Sequence, residues 1–73
     1  MTPLARLVRT RRKALGLTPE RLGIAVLTTR SMVEQVERGY AMPRVDHALR
    51  WCEALDVPAD DFLRAAARSV RLR

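Results

Sequence analysis

The sequence predicts an all-α domain, a compact bundle of five helices. Three observations lead there: no segment alternates convincingly with a period of two, apolar residues recur three and four apart, and proline and glycine cut the 73-residue chain into helix-sized pieces. A chain of this length makes one small domain around one modest core.

Pro3 opens the first helix, in which Leu4, Val8 and Leu15 share a stripe, and Gly16 ends it. Arg12 falls on the same stripe, four residues after Val8. A lone charge there is costly, so it requires a carboxylate partner. The other face carries a basic row of Arg6, Arg9 and Lys13. Thr18 and Pro19 read as the N-cap and first residue of helix 2, which runs through "ERLGIAVL" with Leu22 and Val26 facing the core. Thr28 or Thr29 caps helix 3, which continues to Glu37 or Arg38 before Gly39 stops it. Val33 and Val36 are its core positions. "YAMPR" is a loop, and helix 4 covers roughly residues 45–55, with Ala48, Leu49, Cys52 and Leu55 apolar and Trp51 at the margin. After "DVP" a fifth helix starts near Ala59, with Asp60 and Asp61 well placed in its first turn. Phe62, Leu63, Ala66 and Val70 continue an apolar stripe toward the C-terminus.

Composition narrows the function. The hydrophobic fraction of 48% is ordinary for a globular domain, and no apolar run reaches the roughly 18 residues that span a bilayer. The N-terminus has no hydrophobic export segment, and the single Cys52 cannot form an internal disulfide, so an intracellular, cytoplasmic protein is expected. No metal site is expected from Cys52 and His47, five residues apart and on different helix faces, and no cofactor or small-molecule ligand is implied. His47, the one histidine, has no nucleophile at a recognisable spacing, so an enzyme has little support. The net charge of +6 rests on 14 basic residues, of which only Lys13 is a lysine. The plain alternative, a GC-rich genome that favours arginine codons, takes about half the credit for that bias. The remainder points to a polyanionic partner, because arginine's planar fork suits phosphates and guanine edges.

Two helices joined by a short turn, the second opening with polar side chains, have the layout of a helix-turn-helix. Through "LGLTPERLG", "TTRSMVEQVERG", "MPR" and "CEALDVPADDFL", residues 4–63 resemble the Cro and phage-repressor (XRE) family of helix-turn-helix proteins, without a gap. The spacing in "TTRSMVEQVERG" is especially similar to the DNA-binding domains of lambdoid-phage repressors. The resemblance implies a lambda-repressor-like bundle with the helix-turn-helix in helices 2 and 3. It also implies that Arg12 pairs with Glu37, making Glu37 structural. It divides the chain into a DNA-binding domain, 1–63, and a basic C-terminal extension, 64–73, with Arg64, Arg68 and Arg71 at helical spacing and Arg73 beyond.

The major groove admits one helix, whose first turns meet base edges. Arg30 has the fork for guanine O6 and N7, and Gln35 the amide for adenine N6 and N7. Ser31 bonds to either, Thr29 caps the helix and reaches a phosphate or a thymine methyl, and Glu34 accepts from cytosine N4 or orients a neighbour. Met32 is either a thymine-methyl contact or an exposed spacer. Arg38, Tyr40 and Arg44 lie where members of the family touch the DNA backbone. Thr18 and Arg21, with the backbone N–H of Glu20 or Arg21, form a second anchor at the start of helix 2. For each of these side chains the plain alternative is a solvated helix face. Members of the family often carry a glutamine where this chain has Pro19, so one familiar contact is missing.

Two further departures bear on presentation of helix 3. Leu27 occupies the turn position that in the family holds a glycine with positive φ, at a cost of about 1 kcal/mol for leucine, so either the turn is remodelled or helix 2 is longer. Gly23 meets the need for a small residue where the two helices approach. Ile24, Ala25 and Leu27 stand where the family carries polar residues, leaving "LGIAVL" apolar all round. Such a patch is either a protein interface or a surface covered by the C-terminal helix folding back.

The leading expectation is a sequence-specific transcriptional regulator of phage, plasmid or bacterial origin, a homodimer on a pseudo-palindromic operator of double-stranded DNA, with Phe62, Ala66 and Val70 helping the dimer form. The alternative is a protein-interaction module, an antitoxin or small inhibitor, using the apolar surface of helix 2.

Overall fold

The computed structural model describes residues 1–71, in the order α1 (Pro3–Ala14), α2 (Pro19–Ala25), α3 (Arg30–Glu37), a 3-10 turn (Val45–His47), α4 (Ala48–Leu55) and α5 (Ala59–Arg71). Expectations for Arg73, and for the side chain of Arg71, fall outside the described residues. Among the described residues there are five α-helices and no strand.

The helix starts follow from local chemistry. Thr2, Thr18 and Thr29 sit in extended backbone, and their hydroxyls accept from Ala5 N, Arg21 N and Met32 N at 3.1–3.2 Å. Pro3 and Pro19 follow the first two caps, where a missing N–H costs nothing.

The first four helices all end in the same double closure. After each, one residue takes positive φ and its N–H returns to the carbonyl three residues back. The next N–H returns to the carbonyl five back, as in Tyr40 N to Gln35 O at 2.9 Å and Thr28 N to Gly23 O at 2.8 Å. Gly16 (φ 70°) and Gly39 (φ 79°) fill two of these positions without strain. Leu27 (φ 61°) and Asp56 (φ 54°) fill the other two. The turn after α2 is therefore not remodelled and α2 is not extended; leucine adopts the left-handed conformation itself.

The core gathers Leu4 and Val8 from α1, Leu22 and Val26 around α2, Val33 and Val36 from α3, Trp51, Cys52 and Leu55 from α4, and Phe62 from α5. Several burial expectations need correction. Trp51 is 1% exposed and belongs to the core, whereas Leu49 is 68% exposed. The core-facing set on α4 is Trp51, Cys52 and Leu55 with the partly buried Ala48, the i, i+3, i+4, i+7 face, and Leu49 lies one residue off it. On α5, Leu63 and Val70 face solvent and Ser69 is buried in their place. Leu15 also lies at the surface, because α1 has already ended there.

Ser69 is buried because it is used. Its hydroxyl accepts from Leu4 N at 2.9 Å, one of the open donors at the start of α1, and donates to Ala65 O at 2.7 Å. This bond joins the start of α1 to the end of α5, so the two helices run antiparallel. α5 crosses residue 63, the expected domain boundary, as one unbroken helix packed on α1. It therefore does not fold back over α2, and Ile24 and Leu27 stay 71% and 59% exposed.

Arg12 is tied at three points. Its Nε donates to Glu37 Oε2 at 2.6 Å, Nη2 to Glu37 Oε1 at 3.0 Å and Nη1 to Leu17 O at 2.8 Å, with the two side chains 11% and 9% exposed. Arg11 makes a similar but looser tie, donating from Nε to Leu55 O at 3.0 Å.

Arg12→Ala or Glu37→Ala should lower stability by about 3–5 kcal/mol, since each leaves a charge shut in without its partner. Urea titration followed by circular dichroism measures this, and a loss below about 1 kcal/mol would mean that the pair is dispensable.

The helix ends generate a second expectation, with opposite signs at two neighbouring sites. Leu27→Gly should raise stability by about 0.5–1 kcal/mol, because it removes the left-handed penalty and gives up little burial. Gly23→Ala should lower it by about 1–3 kcal/mol, because the added Cβ would lie 3.0 Å from Thr28 O and 3.1 Å from the Thr29 carbonyl carbon, both backbone atoms that cannot step aside. Thermal melts of the two variants beside the parent chain decide the signs.

Candidate nucleic-acid interface

The two short helices α2 and α3 pack against each other across the Val26–Thr29 turn, and Gly23 sets how closely. The absence of a side chain at Gly23 lets the turn carbonyls of Thr28 and Thr29 lie against α2. Behind α3, Val33 and Val36 anchor the helix to the core while Glu37 is held by Arg12. With three of its eight residues so fixed, the orientation of α3 follows from the core.

The opposite face of α3 carries the expected base readers. Thr29, Arg30, Ser31 and Gln35 are exposed and Glu34 is partly so. The structure brings these residues together on the first two turns, and they are already engaged with one another. Arg30 Nε lies 3.5 Å from Glu34 Oε2, and Gln35 Nε2 donates to Ser31 Oγ at 3.3 Å. Both pairs span i, i+4, a spacing visible in the sequence. Thr29 accepts the Met32 N–H as a cap and keeps its own O–H free to donate. Met32 does not share this face: it is partly buried against the core and, with Met42, Pro43 and Trp51, lines a small cavity of about 130 Å³.

The flanking residues divide into two groups. Arg21, Arg38 and Tyr40 are exposed, and neither arginine has a carboxylate within 4.0 Å among the described residues. Arg44, by contrast, holds Asp46 through Nε to Oδ1 at 3.0 Å and Nη2 to Oδ2 at 2.9 Å. This bond lowers the Asp46 pKa below the ordinary carboxylate value. At the start of α2, Arg21 N is taken by Thr18 Oγ1 at 3.1 Å and Pro19 has no N–H. Of the two backbone donors expected to anchor a phosphate there, Arg21 N is thus already used.

Elsewhere the chemistry is plain. Burial raises the Cys52 thiol pKa, which leaves it protonated and unreactive. His47 is half-buried at the end of the 3-10 turn rather than exposed within a helix. No group of three potential metal ligands occurs among the described residues, and none of the described helices is long and apolar enough to cross a membrane.

Comparison with known proteins gives no match among curated proteins and none among solved structures. A family model described as helix-turn-helix does match, over residues 8–62, from the middle of α1 into the first turn of α5. With α2, its turn and α3 at the centre of that match, the chain belongs to the helix-turn-helix family of DNA-binding proteins of the Cro and phage-repressor type.

Proposed function

We propose that this protein is a sequence-specific transcriptional regulator that inserts α3 into the major groove of a pseudo-palindromic operator. The observation that carries the reading is the division of α3: Val33, Val36 and Glu37 are committed to the fold, while Arg30, Ser31 and Gln35 stand clear of it. Arg30 reads guanine through its fork, Gln35 reads adenine through its amide, and Ser31 and Thr29 add hydroxyl contacts. Glu34 holds Arg30 in register or accepts from cytosine. Thr18, Arg21, Arg38, Tyr40 and Arg44 set the register on the phosphates. Arg44 has to share or release Asp46 to do so.

Residues 1–63 form the reading unit, and residues 64–73 are a basic C-terminal extension, within which α5 continues to Arg71. The protein acts without cofactor, metal or small-molecule ligand, in the cytoplasm of a bacterial or phage-infected cell, by occupying its site on nucleoid DNA. It is not an enzyme. Binding is by a homodimer with half-sites about one helical turn apart. Phe62 lies in the core and Ala66 is partly buried against it, so of the expected dimer residues only Val70 is exposed, with Leu63 two turns before it. The exposed apolar pair Val45 and Leu49, one helical turn apart beyond α3, is better suited to symmetric pairing.

Arg30→Ala and Gln35→Ala should each cost about 1–3 kcal/mol on the preferred site and relax sequence preference at their own base pairs. Arg38→Ala should weaken binding to all duplexes alike and reduce the salt slope by about 0.9. Selection of bound duplexes from a random pool, repeated for each variant, separates the two effects. An unchanged consensus in both α3 variants would remove the base-reading assignment.

Dimerisation is checked separately. Leu49→Arg should leave the fold intact while shifting sedimentation toward monomer and converting binding of two half-sites from cooperative to independent.

The exposed Ile24 and Leu27 support a second reading, that α2 docks a protein as an antitoxin or inhibitor does. Failure of the random pool to yield any enriched sequence would favour it.

A further inference from the structure

An open groove of about 700 Å³ runs between α1 and α5, outside the helix-turn-helix. Leu7 and Ala65, partly buried against the core, line its floor, and Met1 and Pro3 line it beside them. Arg6 on one wall and Arg68 on the other are both exposed, and neither has a carboxylate within 4.0 Å among the described residues. Because the helices run antiparallel, with Leu4 N bound to Ser69 Oγ, Arg6 and Arg68 lie toward the same end. Asp61 and Thr10 line the other end. Asp61 and Arg68 are two turns apart on α5, about 10.5 Å along its axis.

This surface has a polarity that the family's DNA contacts do not explain. Two uncompensated cations face each other across an apolar floor, and a single anion stands two turns away. Phosphate satisfies the cations but leaves the apolar floor uncovered and meets Asp61 with like charge. A second copy of this arginine-rich chain would bring mostly charge of the wrong sign. A short amphipathic helix satisfies every part at once: carboxylates in its first turn against Arg6 and Arg68, aliphatic side chains on Leu7 and Ala65, and a cation or hydroxyl in its last turn against Asp61. The order also agrees with the helix dipole of such a segment, which favours acidic residues at its start and basic ones at its end.

We infer that the α1–α5 groove is a docking site for an acidic amphipathic helix of a partner protein, separate from the DNA-reading face. It gives the domain a way to recruit or be held by another protein while α3 remains free for DNA.

The test uses the full chain and a fluorescein-labelled synthetic peptide with glutamates in its first turn, leucines at i, i+4 spacing and lysine in its last turn. Anisotropy should rise saturably on titration with the protein. Affinity should fall by about tenfold or more in Arg6→Glu/Arg68→Glu, a change confined to exposed side chains, whose circular dichroism and melting temperature should match the parent. A control peptide with every glutamate replaced by lysine should not bind, and saturating duplex DNA should leave the glutamate peptide in place. Absence of binding, equal binding of the lysine peptide, or unchanged affinity in the double variant would each overturn the inference. So would displacement by duplex DNA that is lost in the double variant, which would assign the groove to phosphate.

Discussion

The position of α3 depends on one side chain more than on any other. Arg12 leaves the core-facing stripe of α1, closes on both oxygens of Glu37 at the end of α3, and uses a third donor on Leu17 O in the loop that leads into α2. The end of α1, the loop that follows it and the end of α3 thereby share one guanidinium. A buried charge pair is a weak stabiliser compared with apolar packing, but it is exacting about geometry, because a planar fork and a carboxylate meet well in few arrangements. A domain with twelve buried hydrophobic residues among those described has little other means of fixing three short helices at defined angles. The pair accordingly does for the orientation of α3 what a larger protein could leave to its core.

The polar face of α3 follows a different rule. Arg30 and Glu34 lie 3.5 Å apart with side chains 65% and 40% exposed, and Gln35 meets Ser31 at 3.3 Å. Pairs this open are worth on the order of 0.2–1 kcal/mol, because water and salt screen them. They keep the side chains extended along the helix in the absence of a ligand, yet cost little to exchange for a stronger partner. Arg12 and Arg30 thus carry the same chemistry at opposite ends of the exposure scale, one fixed and one exchangeable. Their identity as arginines does not separate them; burial does.

Much of the fold was legible because helix ends are written in local chemistry. Threonine followed by proline marks the starts of α1 and α2, and glycine marks two of the four closures. The closure at Asp56 was harder to see, since aspartate tolerates left-handed backbone without announcing it, and at Leu27 the residue type pointed the other way. Which face each helix buries was less legible. On α4, stripes through Leu49 and through Trp51 are equally apolar, and only the packing of the other helices selects the second. On α5 the decisive residue is Ser69, which no hydrophobic pattern would bury. It is inside because the first turn of α1, sixty-five residues away, has a donor to satisfy. The exposed face of α3 was legible as a set of residues but not as a set of pairs. Arg44 illustrates the limit, because its attachment to Asp46 depends on how the loop after α3 enters the 3-10 turn.

Leu27 joins these strands. The double closure after α2 is needed so that the Thr28 and Thr29 carbonyls can lie against Gly23, and that contact sets the approach of α2 to α3. A glycine at 27 would satisfy the backbone at lower cost, so a leucine held at φ 61° and 59% exposed gives up stability without gaining burial. Strain of this kind persists where the surrounding structure over-determines it, and here Gly23, the Thr29 cap and the Arg12–Glu37 pair all do so. The side chain that bears the strain borders the small cavity lined by Met32, Met42 and Trp51 and keeps more than half of its surface in solvent. A residue that weakens its own turn for so little cover has to be accounted for by what meets that surface from outside.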